Sequence, residues 1–455
     1  MFQSVPRWLL FLTSCCLYTG STSLKALVTD EPINRLRLKY TYATEDRRSE
    51  QAVASLLTEF NWQWNVYQLT AISNMGTDAY DRIEPGKPDR SERSSINELM
   101  LESDQAFLEL REFYLSGYFE WVSIVIGKQQ IIWGNTDKLR VLDRLNPQDL
   151  REFILPDLVD SRMPLWSLNL EVILPEDAGQ KIGLADGLLQ FVWIPDLTYD
   201  HLPGQDARFA ITSPLLVPSV PIAGNPPQVT STDRPSNIAK DADYGFAFSS
   251  MAKGWDLGFY YLYHYDNTPV LFREIDFSGM QPVVTIKPQY RRNHLLGNSL
   301  SKAIDDWVIR SEFIVLLDKY FVTNTLQDSD GVIQTTEASW ALGLDWQGWE
   351  DGWLSLQCFQ SYLPEYTSTL ERKQLETTLT GIVRHEFGDT QWLAELIWLH
   401  NLNRHDGLIS PELNYEWNEN TWISGGFDLF YGDSKGLFGQ FDRNDRIRIQ
   451  VEIYF

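Results

Sequence analysis

The 455-residue chain carries six histidines and three cysteines, and their spacing offers little catalytic chemistry. His201, His264, His294, His385, His400 and His405 lie far apart, and none forms the HxxxH pair that sets two imidazoles on one helix face for a metal. Cys15 and Cys16 sit near the start and Cys358 stands alone in the body, so no internal disulfide framework or Cys-based metal site is possible. There is no Cys-X-X-Cys-His haem motif and no phosphate-cradling glycine loop. A hydrolase built on a barrel rim would need a Ser/His/Asp set or acidic groups near one end. His400 beside Asn401 is the nearest approach, and a histidine in an aromatic belt or lumen accounts for it as well. The expectation is a protein without enzymatic activity, cofactor or metal.

The densest run of functional side chains lies between Gln129 and Pro164. It contains Trp133, Arg140, Asp143, Asn146, Gln148, Asp149, Arg151, Glu152, Asp160 and Arg162, with both signs of charge closely mixed. A segment this long inside a compact fold is usually functional. Leu150, Phe153, Ile154, Leu155 and Leu158 within it need something to bury against, so the segment is expected to fold inward rather than remain an external loop. Asp149 to Val159 could form a short helix. The charges would then meet a wall offering Arg310, Glu312, Arg384, Glu386, Glu395, Arg448 and Glu452, because charge within a membrane span is expensive unless paired or wetted.

Such a wall requires strands. Hydrophobic residues make up 43% of the chain, and no window after the N-terminus approaches the length of a transmembrane helix. Aromatic residues reach 13%, with 17 Trp and 20 Tyr, as at an interface where one side of a ring is apolar and the other wet. The body alternates with period two in segments of about ten residues. In Trp255 to Tyr265, one face carries Trp255, Leu257, Phe259, Tyr261, Tyr263 and Tyr265, and the other Asp256, Gly258, Tyr260, Leu262 and His264. Ten steps of about 3.3 Å, tilted by about 40°, span about 25 Å, the height of a barrel's apolar band. Similar runs start at Leu36, Trp166 and Trp307. In the run Trp392 to Leu399 both faces are apolar, so that strand is expected to pack against something inside. Short turns at 250–255, 347–353, 388–392 and 418–422 contrast with long polar stretches at 78–97, 204–241, 266–289 and 328–336. The fold class expected is all-β: a transmembrane antiparallel barrel of about 16 strands, within a range of about 14 to 18.

The last ten residues, Arg446 to Phe455, alternate throughout. Ile447, Ile449, Val451, Ile453 and Phe455 would face lipid. An exposed strand of this kind is an aggregation hazard unless it closes against the first strand. Val451, Ile453 and Phe455 resemble the assembly signal of outer-membrane barrels. At the other end, Arg7, the apolar run Trp8 to Tyr18 and the small residues Ser21-Thr22-Ser23 form a signal peptide over residues 1–23, leaving 24–455 as the barrel. Leu12-Thr13-Ser14-Cys15 also fits a lipobox, which would put a lipid on Cys15. The formal charge of −24 excludes a nucleic-acid partner, which needs a basic surface.

The segment also carries a resemblance. Ile126-Gly127-Lys128-Gln129-Gln130 runs into Trp133-Gly134, followed by Leu139-Arg140-Val141-Leu142-Asp143 and Asn146-Pro147-Gln148-Asp149-Leu150-Arg151-Glu152-Phe153. With Asp160-Ser161-Arg162, Pro164-Leu165-Trp166, Trp193-Ile194-Pro195-Asp196 and Gly297-Asn298-Ser299-Leu300-Ser301-Lys302-Ala303, the chain resembles the family of bacterial outer-membrane proteins catalogued as domain of unknown function 1302. The likeness spans residues 30 to 320 and the closing strand. It implies a barrel, members of which often accompany envelope exporters handling hydrophobic products, and it implies no catalytic residues. The expected function is passage of a solute across the outer membrane, as a porin or as the exit of an export system. The alternatives are a barrel that anchors or assembles an envelope complex, and a barrel enzyme. Expected partners are outer-membrane lipids, the barrel assembly machinery and, in the export reading, an inner-membrane exporter.

Overall fold

A computed structural model describes residues 28–29, 32–86, 92–175, 183–218, 227–278, 281–323, 325 and 328–455. The leader expected over residues 1–23, with Cys15, lies outside them. The first six long strands are β1 (Ile33–Ala43), β2 (Arg48–Trp64), β3 (Tyr67–Asp78), β4 (Ala106–Tyr118), β5 (Val122–Gln129) and β6 (Leu165–Ile173). Then come β7 (Ala185–Ile194), β8 (Asp243–Ala252), β9 (Trp255–Tyr265), β10 (Arg292–Ile304), β11 (Trp307–Val322) and β12 (Val332–Trp346). The last six are β13 (Gly352–Tyr362), β14 (Leu375–Phe387), β15 (Trp392–Asn401), β16 (Asp406–Asn418), β17 (Thr421–Tyr431) and β18 (Arg446–Tyr454). Each pairs antiparallel with the next, and β18 returns to β1 in register from Arg35↔Tyr454 to Ala43↔Arg446. The described residues thus form a closed barrel of 18 strands, two more than the central expectation. Closure leaves no sheet edge, which is what permits strands to cross a bilayer.

The alternation works as the sequence implies. On β9, Phe259 is 53% exposed while Leu262 is fully buried, and on β18 Ile449 is 52% exposed. Outward apolar residues recur around the barrel, among them Leu342, Leu356 and Leu296. An apolar surface that continuous needs lipid to cover it. Aromatic pairs cap the band at the end with short turns. Trp307 stacks on Trp346 at 5.8 Å, and Trp392 lies on Tyr415 at 4.4 Å.

Connections alternate in length. Even-numbered strands are followed by tight turns such as 65–66, 253–254, 305–306 and 419–420. At 253–254 both Lys253 and Gly254 have positive φ, the I′ hairpin geometry that matches strand twist. Strands β1 and β15 are followed by the short turns 44–47 and 402–405, whereas β3, β5, β7 and β9 lead into the long connections 79–105, 130–164, 195–242 and 266–291. Two of these build a small outer sheet, in which Val270–Asp276 pairs with Val283–Gln289 and Gln228–Val229 adds in parallel.

Candidate functional site

The connection between β5 and β6 enters the barrel. A core of buried residues runs from the segment straight into the wall: Ile131, Trp133, Val141, Leu142 and Leu145 pack with inward residues of β7 to β13 such as Val192, Leu262, Leu295 and Ile314. Trp133 is 3% exposed, lies 5.2 Å from the Tyr260 ring and donates its indole N–H to Gln190 at 2.7 Å. Further along, Phe153, Ile154 and Leu155 pack against a second cluster with Leu399, Leu408, Phe430 and Phe441. This is the inside contact that the doubly apolar β15 demanded. Val192, Leu262 and Ile314 face inward without polarity because the segment, not water, fills that half of the lumen.

Side chains divide into those that fold the segment and those that tie it to the wall. Asn146 accepts from the Ile131 N–H at 2.9 Å and donates to the Met163 carbonyl at 3.0 Å. Arg162 and Asp143 form a buried pair at 2.8 Å. Gln148 donates to Ser161 at 3.1 Å, and Arg140 donates to the Asn146 carbonyl at 2.9 Å. Burial draws the Arg140 guanidinium down to about 10, against the pull of Asp200 and Asp143. Arg151 donates from Nε to both Asp149 carboxylate oxygens, at 2.9 and 3.0 Å, and from Nη2 to one of them. A single helical turn, α1 (Leu158–Ser161), follows, shorter than the helix expected from Asp149 to Val159. Arg111 on β4 caps it, donating to the Val159 and Arg162 carbonyls at 2.6 and 3.2 Å.

Three acidic residues reach the wall. Asp137 meets Arg310 of β11 and Gln357 of β13, both at 2.7 Å. Glu152 takes Lys39 of β1 at 2.7 Å, Arg446 of β18 at 2.6 Å and Gln51 of β2 at 3.1 Å. Asp160 takes Arg37 at 2.8 Å and Arg35 at 3.2 Å. Burial would push the Glu152 and Asp160 carboxyls up. Lys39 and Arg446 at the first, and Arg37 and Arg35 at the second, hold both well below the ordinary carboxylate range. From the wall, Glu312 accepts the backbone N–H of Asn135 and that of Leu142, the latter at 3.1 Å.

The other wall residues behave differently. Arg448 pairs with Glu412 at 2.6 Å and Asp428 at 2.9 Å, and Glu452 with Arg37 at 2.7 Å, all within the wall. Arg384 pairs with Glu395 and lies over the Trp353 ring at 5.1 Å. Glu386 is exposed and its backbone N–H bonds Asp351. Arg384 and Glu386 are therefore corrected as partners of the segment: they stand near the short turn at 388–391, at the barrel end away from it. His400 and Asn401 alternate to opposite faces of β15, with His400 bonded to the Tyr431 hydroxyl at 3.0 Å and Asn401 buried.

What remains open is a cavity of about 400 Å³ running along one side of the lumen. Its lining includes Arg37, Lys39, Arg111, Glu152, Arg448 and Ile397. The profile of the family described as protein of unknown function (DUF1302) matches residues 36–420. The chain belongs to that family. Among solved structures, this DUF1302 chain is similar to the outer membrane protein OpdK of Pseudomonas aeruginosa, at 10% identity and a TM-score of 0.50 over 95% of this chain and 100% of that one. OpdK with vanillate gives 10% and 0.50 over 93% and 98%. Acinetobacter baumannii OccAB2 gives 10% and 0.49 over 93% and 97%. At such identities the likeness is one of fold, that of outer-membrane barrels. No curated protein matches the DUF1302 chain.

Sequence reasoning missed the basic row of this DUF1302 barrel. Arg37 and Lys39 are visible only as the polar side of the alternating run from Leu36, and Arg35, Gln51 and Arg111 are not singled out at all. The signal was available: if the last strand closes on the first, the polar faces of both become neighbours.

Proposed function

We propose that this DUF1302 barrel is exported to the bacterial outer membrane and passes a small solute across it, through the gap left between the inward segment and the wall of β1 to β4 and β15 to β18. The observation that carries this reading is the cavity of about 400 Å³, lined by charged groups from both segment and wall while the opposite half of the lumen is packed with apolar side chains. A barrel built only as an anchor has no need of a charged, hydrated path beside a dry core. Charged rings and a narrowed passage are the means by which a pore sorts solutes. As part of an export system, the barrel would take its cargo from an inner-membrane exporter, while the assembly machinery and lipids serve its insertion. We assign it no catalytic role.

Single-channel recording in planar bilayers tests the proposal. The full-length protein should give discrete conductance steps, and removing residues 135–160 should enlarge them while the barrel still inserts. The packing of half the lumen favours a second reading, an anchoring barrel of little conductance. Absence of steps from both proteins would decide for it.

A further inference from the structure

We propose that the inward segment is also the clamp that closes the barrel, because its carboxylates supply charge that the seam between first and last strands lacks. Among the barrel's neighbouring strands, β1 and β18 alone are joined by no connecting turn, and their nine register pairs must hold without one. The lumen face of this seam is cationic: Arg35, Arg37 and Lys39 on β1, Arg446 and Arg448 on β18. Two wall pairs cross it, Arg37 with Glu452 at 2.7 Å and, at the longer distance of 4.0 Å, Arg446 with Glu50 of β2. Arg446 and Arg448 otherwise turn back to Asp428 and Glu412 on β17 and β16, on their own side. Glu152 bridges the seam, holding Lys39 of β1 at 2.7 Å and Arg446 of β18 at 2.6 Å with the same carboxylate. Asp160 adds Arg35 and Arg37. Lys39 and Arg35 have no other ion pair among the described residues.

With the segment outside, Lys39 and Arg446 would face each other without the anion between them. A buried charge whose partner is removed destabilises far more than the intact pair stabilises. The side chain of Arg446 is 1% exposed and that of Glu152 15%, so solvent relieves little of this. Insertion of the segment and closure of the seam are therefore coupled: each stabilises the other.

The test uses the full-length protein purified from outer membranes, with unfolding in urea followed by the gel shift between folded and heated forms. Glu152→Gln keeps the size of the side chain but loses its charge and one of its two acceptor oxygens, and should unfold about tenfold faster or more. Glu152→Gln combined with Lys39→Met removes the matching cation and should recover to within about threefold of the parent, as the double change leaves no stranded charge. A single variant that unfolds at the parent rate, or a double variant as fast as the single, overturns the clamp. If the single variant never folds, cysteines at the outward register partners Leu38 and Val451 provide the control, in a Cys358→Ser background. An oxidised cross-link there that restores the folded form supports the clamp, and failure to restore it overturns it.

Discussion

Glu312 holds more of the lumen segment than its single place on β11 suggests. Its carboxylate accepts two backbone N–H groups, from Asn135 and Leu142, that are seven residues apart in the chain, and so fixes the loop between them. Gly134 makes the approach possible. Its φ is +89°, and a Cβ there would stand 2.5 Å from a Glu312 oxygen. Gly134→Ala should therefore destabilise the folded segment by about 1–2 kcal/mol, through the left-handed backbone and the close contact together. Glu312→Ala strands the buried Leu142 N–H, at about 1–3 kcal/mol, and frees the more exposed Asn135 N–H. Limited proteolysis of the folded barrel checks both: new cleavage within residues 135–145 is expected, with Glu312→Ala the more sensitive. A variant as resistant as the parent would mean that the apolar packing of Trp133 and Leu142 alone holds the segment.

Elements differ in how openly the sequence declares them. Strands β9 and β18 are legible because one face meets lipid and the other polar groups, so period two survives. Strand β15 declared its inner contact by being apolar on both faces, and Ile397 and Leu399 do pack on the cluster beneath Phe153. The 18 strands stand at the upper end of the range of about 14 to 18 expected, and the contrast fades in some of them. Strand β5 is only eight residues long and carries a left-handed Gly127 at φ 136°, and β7 and β8 turn apolar residues inward against the segment. The constriction was readable as a charged break in the pattern, but which charges reach the wall was not. Arg140 and Arg151 brace the segment from within, whereas Lys39 and Arg35 gain partners only when closure brings distant chain segments together. The closing strand itself yields a prediction. Phe455 exchanges backbone hydrogen bonds with Asn34 at 3.0 and 3.1 Å while its ring is 64% exposed. Deleting Phe455, or replacing Ile453 with Asp, should leave the protein in the periplasm, as fractionation would detect. A lipid-facing charge costs up to about 2–4 kcal/mol at midplane and less near an interface, so the Phe455 effect acts through recognition of the strand more than through stability. Full outer-membrane levels of both variants would count against that role.

For the whole molecule, the barrel behaves as two half-lumens with different physics. On one side Leu142, Leu262 and Ile314 form a dry core like that of a soluble domain. On the other, the open path is bounded by carboxylates held by cations, chiefly Glu152 and Asp160. In the proposed passage, the sign of the pH response of these two carboxyls follows from the direction of their shifts. Both carboxyls are depressed in the folded protein, because the attraction of Lys39 and Arg446, and of Arg37 and Arg35, exceeds the opposing effect of burial. Such groups contribute stability that is complete above their unfolded values, about 3.9 for Asp and 4.3 for Glu, and that is lost only as pH falls through the lower folded values. The ties between segment and seam therefore stay ionised from pH 8 down to about 4.5. Conductance of the parent should be flat over that range, and the folded form should survive mild acid. Glu152→Gln already lacks one of these charges, so its conductance should likewise be flat there, offset from the parent by a constant factor. A parent channel that opens between pH 7 and 5 would contradict this, since no histidine sits among the ion pairs of the seam.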